Sequence, residues 1–408
     1  MEPRRYARSP AGALATAAVL LTTALCAEGW STFRADSLRT GNADGSELPR
    51  TLEVLWTFAG SEFNSPRIDS SPALAHGSVY VGVTEHSVFS PGGRIISLDA
   101  ATGKLRWAKK ARFPVFSSPS VAAGRVLVGE GYHQDSGCRL YCLDAARGEE
   151  IWSFETRSHL ESSPQVEKDR VYFGAGDDGI YCLDLAGGKE IWHFPGVHVD
   201  LSPLVASGLV FAGTGHGGAA AVCLTADEGK LKWRIPLDLP AWGSPALLGN
   251  RLFLGLGNGN FLQSAEKPRG AVVCLAATSG KELWRREFPD AVLTAIASAG
   301  ERLFAGCRDG HLYALDSRSG EVAWKRAAGG PILASPLLGG GHVAALGASG
   351  RLMVLSAETG EELAKVDLAR LAGEGGRQKD FFASPSAAGG KIFLATGAGG
   401  LAALGKRE

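Results

Sequence analysis

A ten-residue motif recurs along the chain at a nearly fixed period, and it constrains the fold more than any other feature. The first copy reads LDAATGKLRW at 98–107, and a seventh, LSAETGEELA at 355–364, keeps the glycine but lacks the tryptophan. Six copies end in a tryptophan: Trp107, Trp152, Trp192, Trp233, Trp284 and Trp324, spaced by 45, 40, 41, 51 and 40 residues. A unit of about 40–50 residues is the length of one four-stranded propeller blade, so the sequence predicts an all-β propeller.

Each unit can be divided into four strands. In the third unit we predict an inner strand beginning at 162–167, followed by strands at 170–176, 179–185 and 189–194. The last two are joined by the sequence D-x-x-x-G, in which the aspartate can accept backbone N–H groups and the glycine tolerates a positive φ. The tryptophan then falls on the outermost strand. We expect each of these rings, and Trp56 near the N-terminus, to dock against the neighbouring blade.

A second motif, Ser-Pro, marks the head of each inner strand and sets the number of blades. Its prolines are Pro72, Pro119, Pro164, Pro203, Pro245, Pro336 and Pro385, and the segment 294–298 fits the spacing without one. The eighth unit ends at its third strand, 401–405, whereas 52–58 is a tryptophan-bearing fourth strand with nothing before it. We therefore predict an eight-bladed β-propeller with four-stranded antiparallel blades. Strand 52–58 would join the C-terminal blade and so remove an exposed sheet edge.

The predicted organisation is a signal peptide at 1–27, a lead-in segment at 28–51 and the propeller at 52–408. Three arginines lie within the first eight residues, and an apolar run rich in small residues follows at 11–27. This pattern is typical of an export signal, and the run is short for a membrane span. The mature chain is therefore expected to have no transmembrane segment and to reside in the periplasm or at the outer membrane.

A lipid anchor at Cys26 remains an alternative, although Leu25 stands where bacterial lipoproteins have a small residue. The chain has 42 basic and 42 acidic residues and no charged block, so nucleic acid is not expected as a partner. The protein is expected to be a monomer.

Cysteines recur at one position of the third strand. That position holds Cys142, Cys182, Cys223 and Cys274 in four units, and Ser97, Ala314, Val354 and Ala403 in the others. A position filled by these residue types requires a small, mostly apolar side chain. Because the cysteines lie on different blades, pairing is not expected, and they are predicted to be buried free thiols.

The repeat, S-S-P…V-Y-x-G…L-Y-x-L-D-x-x-x-G-x-x-x-W, resembles that of pyrroloquinoline-quinone (PQQ)-type propellers, and WSTFRADSLRTG at 30–41 resembles the lead-in of its bacterial members. One branch contains quinoprotein alcohol dehydrogenases, which use the quinone and calcium; they are longer, and many carry a vicinal disulfide that this sequence lacks. Another branch is non-enzymatic and includes the BamB-like propellers of the outer-membrane assembly machinery, which are similar in size. The resemblance therefore favours an exported binding or scaffold module for a protein or small ligand, without a cofactor. The alternative is a PQQ-dependent alcohol or sugar dehydrogenase.

The candidate binding face is the one that carries the variable loops, including long insertions at 257–270 and 369–381. The position three residues before each Ser-Pro proline is expected at the channel mouth on this face. Around the ring it holds Asp69, Phe116, Glu161, Asp200, Trp242, Thr294, Leu333 and Phe382. The histidines predicted on the same face are His86, His133, His159, His198 and His216.

From these we predict a ligand or partner site at the mouth. Its residues are Asp69, His86, Phe116, His133, Glu161, His198, Asp200, His216, Trp242 and Phe382. No metal-binding spacing such as H-E-x-x-H occurs, and no Ser-His-Asp set can be assigned, so the motifs predict neither a metal site nor a catalytic residue.

Rotational symmetry should bring Asp69, Glu161 and Asp200 close together, and carboxylates held close raise one another's pKa unless a cation neutralises them. A cation or a basic partner group would then favour that half of the ring, with His133, His198 and His216 as further ligands or a source of pH response. The simpler alternative is a set of solvated polar side chains around a water-filled channel.

Overall fold

The structure is a computed structural model that describes residues 30–43, 46–85, 92–215, 217–260, 262–368, 381–397 and 400–407. Eight antiparallel sheets follow one another around a ring, and the described part of the chain contains no α-helix. Within those same residues there is accordingly no helix that could cross a membrane. The prediction of an eight-bladed all-β propeller is confirmed.

The first strand in the chain belongs to the last blade, and four complete blades follow it. The strands, in chain order, are β1 (Glu53–Phe58), β2 (Pro66–Arg67), β3 (Ala73–Ala75), β4 (Ser78–Glu85), β5 (Gly92–Asp99), β6 (Leu105–Ala111), β7 (Ser120–Ala122), β8 (Arg125–Gly129), β9 (Arg139–Asp144), β10 (Glu150–Glu155), β11 (Gln165–Glu167), β12 (Arg170–Gly174), β13 (Ile180–Asp184), β14 (Glu190–Phe194), β15 (Leu204–Ala206), β16 (Leu209–Thr214), β17 (Ala220–Thr225) and β18 (Leu231–Pro236). The short strand β2 is an addition to the first blade and pairs with β4.

The remaining strands form blades 5 to 8. They are β19 (Ala246–Leu248), β20 (Arg251–Gly257), β21 (Gly270–Ala276), β22 (Glu282–Phe288), β23 (Ala297–Ala299), β24 (Arg302–Gly306), β25 (His311–Asp316), β26 (Val322–Ala327), β27 (Leu337–Gly339), β28 (His342–Leu346), β29 (Arg351–Ser356), β30 (Glu362–Asp367), β31 (Ser386–Ala388), β32 (Lys391–Gly397) and β33 (Gly400–Gly405). Apart from the added β2, the innermost strand of every blade is the shortest, and the order from the channel outward follows the chain except in blade 8.

Blade 8 is closed by the N-terminal strand, as the truncated last repeat predicted. Strand β1 pairs antiparallel with β33, Glu53 opposite Gly405 and Phe58 opposite Leu401. The apolar core around this closure continues into blades 1 and 7 through residues such as Val79 and Leu337. The closure therefore joins three blades into one core.

The turn glycine and the tryptophan of successive blades contact each other. In blade 3, Asp184 Oδ1 accepts the N–H of Gly187, and Gly188 follows at φ +70°. A Cβ atom on Gly188 would lie 2.5 Å from Trp152 of the preceding blade, so the ring packs directly on the bare glycine. The seven tryptophans, Trp56, Trp107, Trp152, Trp192, Trp233, Trp284 and Trp324, each donate Nε1–H to a carbonyl in the turn of the next blade.

The small residue of the third strand lies opposite the tryptophan of the fourth. Cys182 pairs with Trp192 across the strands, and a bulge precedes the tryptophan. Blade 7 has no tryptophan. Its pair is Val354 on the third strand and Ala364 on the fourth, so here the larger side chain is on the third strand. All six cysteines in the described part of the chain are free and buried, and burial raises the pKa of the Cys182 thiol to about 12.

The serines of the Ser-Pro motifs form a ring of hydrogen bonds around the channel. In each case the serine Oγ accepts the backbone N–H of the residue at the same position in the preceding blade. Ser118 Oγ accepts from the N–H of Ser71 at 3.0 Å, and Ser71 Oγ accepts from the N–H of Ser384 at 2.9 Å. The other links run from Ser118 to Ser163, Ser163 to Ser202, Ser202 to Ser244, Ala295 to Ser335 and Ser335 to Ser384. Ala295 takes the serine position in blade 6 and has no hydroxyl to offer Ser244. The Ser-Pro motif is therefore an inter-blade contact.

The lead-in segment 30–43 closes one end of the channel. Its backbone carbonyls accept N–H groups from the innermost strands of several blades: Trp30 from Leu74, Ser31 from Val121, Leu38 from Leu247, Thr40 from Ser298 and Gly41 from Leu338. We call residues 30–43 the plug. Since it bonds to the innermost strands themselves, the residues that precede those strands surround the opposite end of the channel.

Two arginines of the plug are fully buried in the channel. Arg39 donates to the carbonyls of Pro203 and Ser163, and Arg34 donates to that of Pro336. Burial lowers the pKa of both guanidinium groups to about 9, which leaves them charged at neutral pH. Their carbonyl contacts tie the plug to the ring.

Candidate functional site

A cavity of about 850 Å³ opens at the end of the channel opposite the plug. Six of the seven residues that lie three positions before a Ser-Pro proline line it: Asp69, Phe116, Glu161, Asp200, Trp242 and Phe382. The fold brings them to one level because each precedes the same innermost strand in its own blade. We call this space the mouth cavity.

In blade 6 the mouth position is Leu293, and the prediction of Thr294 is wrong by one residue. Thr294 is buried and bonds through Oγ1 to the backbone of Gly306, as Ser162 bonds to Gly174 in blade 3. Leu293 instead packs in a cluster with Leu333, Trp242 and Phe382. Blade 6 lacks the Ser-Pro proline, so no motif marks the register of its innermost strand in the sequence.

The half of the mouth formed by blades 5 to 8 is apolar. Leu293, Leu333, Trp242 and Phe382 belong to one cluster, and Trp242 is held in place by Nε1–H donation to the carbonyl of Gly257 at 3.0 Å. The insertion between β20 and β21 adds Leu262, which is 77% exposed and also lines the cavity. This half offers apolar and aromatic contact surface.

The half formed by blades 1 to 4 carries the charged side chains beside the aromatic Phe116 and Tyr132, and its three carboxylates have different partners. Asp69 pairs with Arg67 Nε at 2.8 Å, and the same guanidinium lies over the ring of Phe382. Glu161 and Asp200 both approach the imidazole of His159, at 3.8 Å and 2.9 Å from Nε2. Two of the three carboxylates therefore converge, and the third is neutralised by an arginine.

His133, His159, Glu161, His198 and Asp200 form a connected group that we call the His/carboxylate cluster. His133 Nδ1 lies 3.2 Å from Glu161 Oε1, and His198 Nε2 lies 2.7 Å from Asp200 Oδ2. His159 is at the centre and is 1% exposed. Three rings and two carboxylates thus meet across blades 2, 3 and 4.

The charges within the cluster are coupled. Burial would raise the pKa of Asp200, but its hydrogen bonds with His159 and His198 outweigh burial and hold it well below its usual range. The hydrogen bond to Asp200 raises the pKa of His198 to about 9. Burial, together with the charge of Asp200, raises the pKa of Glu161 to about 7. At neutral pH the cluster therefore contains an ionised Asp200 next to a protonated His198.

The outer nitrogens of two histidines also have partners. His198 Nδ1 lies 2.6 Å from Asp177 Oδ1, and His159 Nδ1 lies 3.2 Å from Ser158 Oγ. A carboxylate oxygen accepts, so Nδ1 of His198 is the donor in its contact with Asp177. These contacts orient the rings with Nε2 toward Asp200.

The predicted site residues are placed as follows. Seven of the ten line the cavity: Asp69, Phe116, His133, Glu161, Asp200, Trp242 and Phe382. An eighth, His198, contacts one of them, Asp200. His86, His216 and most of the insertion at 369–381 lie outside the described residues. Their role in binding remains a prediction.

Sequence reasoning gave no role to three residues of the site. Tyr132 stacks on Phe116 with ring centroids 4.8 Å apart, Arg67 pairs with Asp69, and Asp177 supports His198. Tyr132 and Asp177 lie in loops and Arg67 lies in the added strand β2, all outside the repeat motif. Only the neighbouring His133 gave a signal for Tyr132. Repeat spacing identifies equivalent positions in each blade but not the loop residues that meet above them.

The repeat, the eight blades and the plugged channel define a PQQ-like repeat β-propeller. The sequence profile of one family, described as outer membrane protein assembly factor BamB, matches residues 44–192, 131–222, 179–267 and 253–408. These matches span most of the chain, which therefore belongs to that family. A search of curated proteins found no significant match.

Solved structures with the same fold include a BamB, quinohemoprotein alcohol dehydrogenases and a computational design. BamB from Moraxella catarrhalis aligns with a TM-score of 0.64 at 15% identity, over 88% of this chain and 98% of that one. The quinohemoprotein alcohol dehydrogenase ADHIIG from Pseudomonas putida HK5 aligns with a TM-score of 0.70 at 14% identity, over 94% and 81%. The computationally designed Ika8 protein aligns with a TM-score of 0.68 at 16% identity, over 87% and 100%. At these identities the likeness shows the fold alone.

Proposed function

We propose that the protein is an exported, non-enzymatic binding propeller of the cell envelope that takes a ligand or a partner's side chains into the mouth cavity. The observation that carries the proposal is the division of this cavity into an aromatic half and a charged half. Its volume, about 850 Å³, falls in the range of small-molecule sites. Aromatic side chains beside a few placed polar groups are typical of such sites.

Family membership supports the same role. The family is described by an assembly factor for outer membrane proteins, and one solved relative in fold is a BamB. A periplasmic or outer-membrane-associated location and a protein partner in the envelope agree with that description. The apolar run at 11–27, the proposed export signal, lies outside the described residues.

A PQQ-dependent dehydrogenase is the second candidate, because quinohemoprotein dehydrogenases share the fold. The quinone carries three carboxylates and needs cationic partners. Among the described residues, the cavity lining instead has Asp69, Asp135, Glu161 and Asp200 against one arginine, Arg67, which is paired with Asp69. These residues do not fit a tricarboxylate, so the quinone has no role in the proposed function.

Site-specific photo-crosslinking in cells tests the binding role. A photoreactive phenylalanine at position 116 faces the mouth cavity, and one at Leu38, an exposed plug residue, serves as the control. We expect a discrete crosslinked product from position 116 that disappears when Trp242 and Phe382 are replaced by alanine. A product only from position 38, or one insensitive to the alanine replacements, would place the interaction elsewhere.

Reconstitution with the quinone and calcium, followed by an alcohol assay with an artificial electron acceptor, separates the two candidates. We expect turnover no higher than in a protein-free control. Turnover well above it would establish the dehydrogenase and remove the non-enzymatic role.

A further inference from the structure

We propose that the His/carboxylate cluster binds one divalent transition-metal ion of the zinc type, with His159, His198 and Asp200 as its protein ligands. The inference concerns the cluster alone and does not depend on an organic ligand or protein partner in the mouth cavity. The motif spacing predicted no such site, because His159 comes from the loop before β11, whereas His198 and Asp200 come from the loop before β15. The symmetry of the ring suggested a cation near Glu161 and Asp200 with His198 as a ligand, but it gave His159 no part in it.

The donor atoms are already close enough to share one ion. One nitrogen or oxygen from each of His159, His198 and Asp200 lies within 4.8 Å of the others. Asp200 Oδ1 is 2.9 Å from His159 Nε2, and Asp200 Oδ2 is 2.7 Å from His198 Nε2. Tetrahedral zinc with bonds of about 2.0–2.1 Å separates its ligands by about 3.4 Å, so each of these two contacts would lengthen by roughly half an ångström around an ion.

A fourth donor is available on the cavity side. Glu161 Oε1 lies 3.8 Å from His159 Nε2, and together with His133 these residues form a second set of potential ligands within 4.8 Å. Because the two sets share His159, they describe one site with alternative outer ligands. A water molecule or Glu161 would complete four-coordination at the wall of the mouth cavity.

The rings are oriented as metal-bound histidines usually are. A ligating histidine typically donates its second ring N–H to a carboxylate or another acceptor, which fixes the tautomer and aims the first nitrogen at the ion. Asp177 accepts from Nδ1 of His198 at 2.6 Å, and Ser158 Oγ lies 3.2 Å from Nδ1 of His159. In both rings Nε2 is therefore the nitrogen presented to Asp200. Binding of the ion displaces to solvent the proton that Nε2 of His198 carries at neutral pH.

The donor set selects the class of metal. Imidazole nitrogens suit zinc, copper, nickel and iron, whereas calcium and magnesium prefer oxygen ligands throughout. Two imidazoles and one carboxylate resemble the three-ligand sets that hold zinc with an open fourth position. We therefore expect Zn²⁺ to bind far more tightly than Ca²⁺ or Mg²⁺.

Calorimetric titration of the mature chain, purified without a histidine tag, tests the site. We expect one Zn²⁺ per chain and no measurable heat from Ca²⁺ or Mg²⁺. An outer-shell partner contributes roughly 10- to 100-fold to metal affinity. His198→Gln and Asp200→Asn each remove a ligand itself. Each should therefore weaken Zn²⁺ binding by at least about tenfold, the lower end of that range. His76→Gln removes an exposed histidine in the turn between β3 and β4, away from the mouth, and should leave the affinity unchanged.

Anomalous diffraction at the zinc edge locates the ion independently of the variants. A single peak bonded to His159, His198 and Asp200 is expected. Absence of Zn²⁺ binding by the wild type, equal affinity in all three variants, equal binding of Ca²⁺, or a peak elsewhere would each overturn the proposal. Should a ligand variant fail to fold, the wild-type titration and the anomalous peak still decide.

Discussion

Each turn glycine between the third and fourth strands carries two constraints, one from its own backbone and one from the neighbouring blade. Gly229 has φ +65°, and a Cβ atom there would lie 2.6 Å from Trp192. Gly208, in another turn of the same blade, has φ +76° but open space around it. The two positions therefore share a backbone requirement and differ in packing.

This difference predicts unequal costs for the same substitution. Alanine at either position adopts a left-handed conformation, which costs about 1–2 kcal/mol. Gly229→Ala must also displace Trp192, and overpacking typically adds about 1–3 kcal/mol. Urea unfolding should therefore show a larger loss for Gly229→Ala than for Gly208→Ala. Equal losses would mean that the tryptophan adjusts freely and that the contact contributes little.

At this scale the sequence predicted one of the two constraints. The positive φ followed from D-x-x-x-G, since only glycine tolerates that conformation readily. The requirement for a bare Cα beneath a tryptophan depends on how adjacent blades pack, and no local pattern encodes it. The same holds at the mouth, where spacing placed Glu161 and Asp200 at one level but could not show that His159 joins them.

Among the elements, the inner strands are linked by the serine ring. Ser335 Oγ accepts the buried N–H of Ala295 at 3.0 Å. Ser335→Ala removes that acceptor, and a buried unpaired N–H costs about 1–3 kcal/mol. Urea unfolding should show a loss of this size, whereas Ser153→Ala, on an outer strand, should change stability by less than about 0.5 kcal/mol.

Blade 6 offers the reverse experiment, because Ala295 is the one member of the ring without a hydroxyl. Ala295→Ser supplies an acceptor for Ser244, and a hydrogen bond of this kind contributes about 0.5–1.5 kcal/mol. An increase in the urea midpoint is expected. A decrease would indicate that the added oxygen does not fit beside Ser244.

The blade count was predictable from the sequence because the Ser-Pro motif recurs in seven of the eight blades. Blade 6 is the exception. Without the proline its register is unmarked, and the prediction of Thr294 as the mouth residue is one position off. The plug was predicted only as a lead-in segment. Its path follows from hydrogen bonds to strands up to about 300 residues away in the chain, such as that from Arg34 to Pro336, which no local periodicity reveals.

For the whole molecule, ring closure depends on the pairing of β1 with β33. Removal of 400–408 leaves β1 without a partner and β32 paired only with β31, and it opens the core shared with blades 1 and 7. We expect thermal unfolding to begin at a markedly lower temperature and native-state proteolysis to accelerate. Removal of 406–408, beyond β33, is the control; it loses only the exposed contacts of Arg407 with β1 and should change stability by less than about 0.5 kcal/mol.

The plug and the mouth occupy opposite ends of the channel, so a change in the plug should affect stability without altering the site. Arg39 donates to the carbonyls of Pro203, Ser163 and Phe33. Arg39→Met keeps much of the volume but leaves these acceptors unpaired, at about 1–3 kcal/mol for each one that water does not reach. We expect a lower urea midpoint and faster proteolytic cleavage within 30–43.

Arg318→Met, which removes an exposed arginine from the surface of blade 6, is the control, and the effect of such a change should stay within about 0.5 kcal/mol. The affinity of the His/carboxylate cluster for Zn²⁺ should be the same in Arg39→Met and in the wild type, because the innermost strands hold the mouth loops whether or not the plug is seated. If Arg39→Met weakened Zn²⁺ binding tenfold while the ring remained folded, the two ends of the channel would be coupled. The plug would then act on the site instead of only closing the ring beneath it.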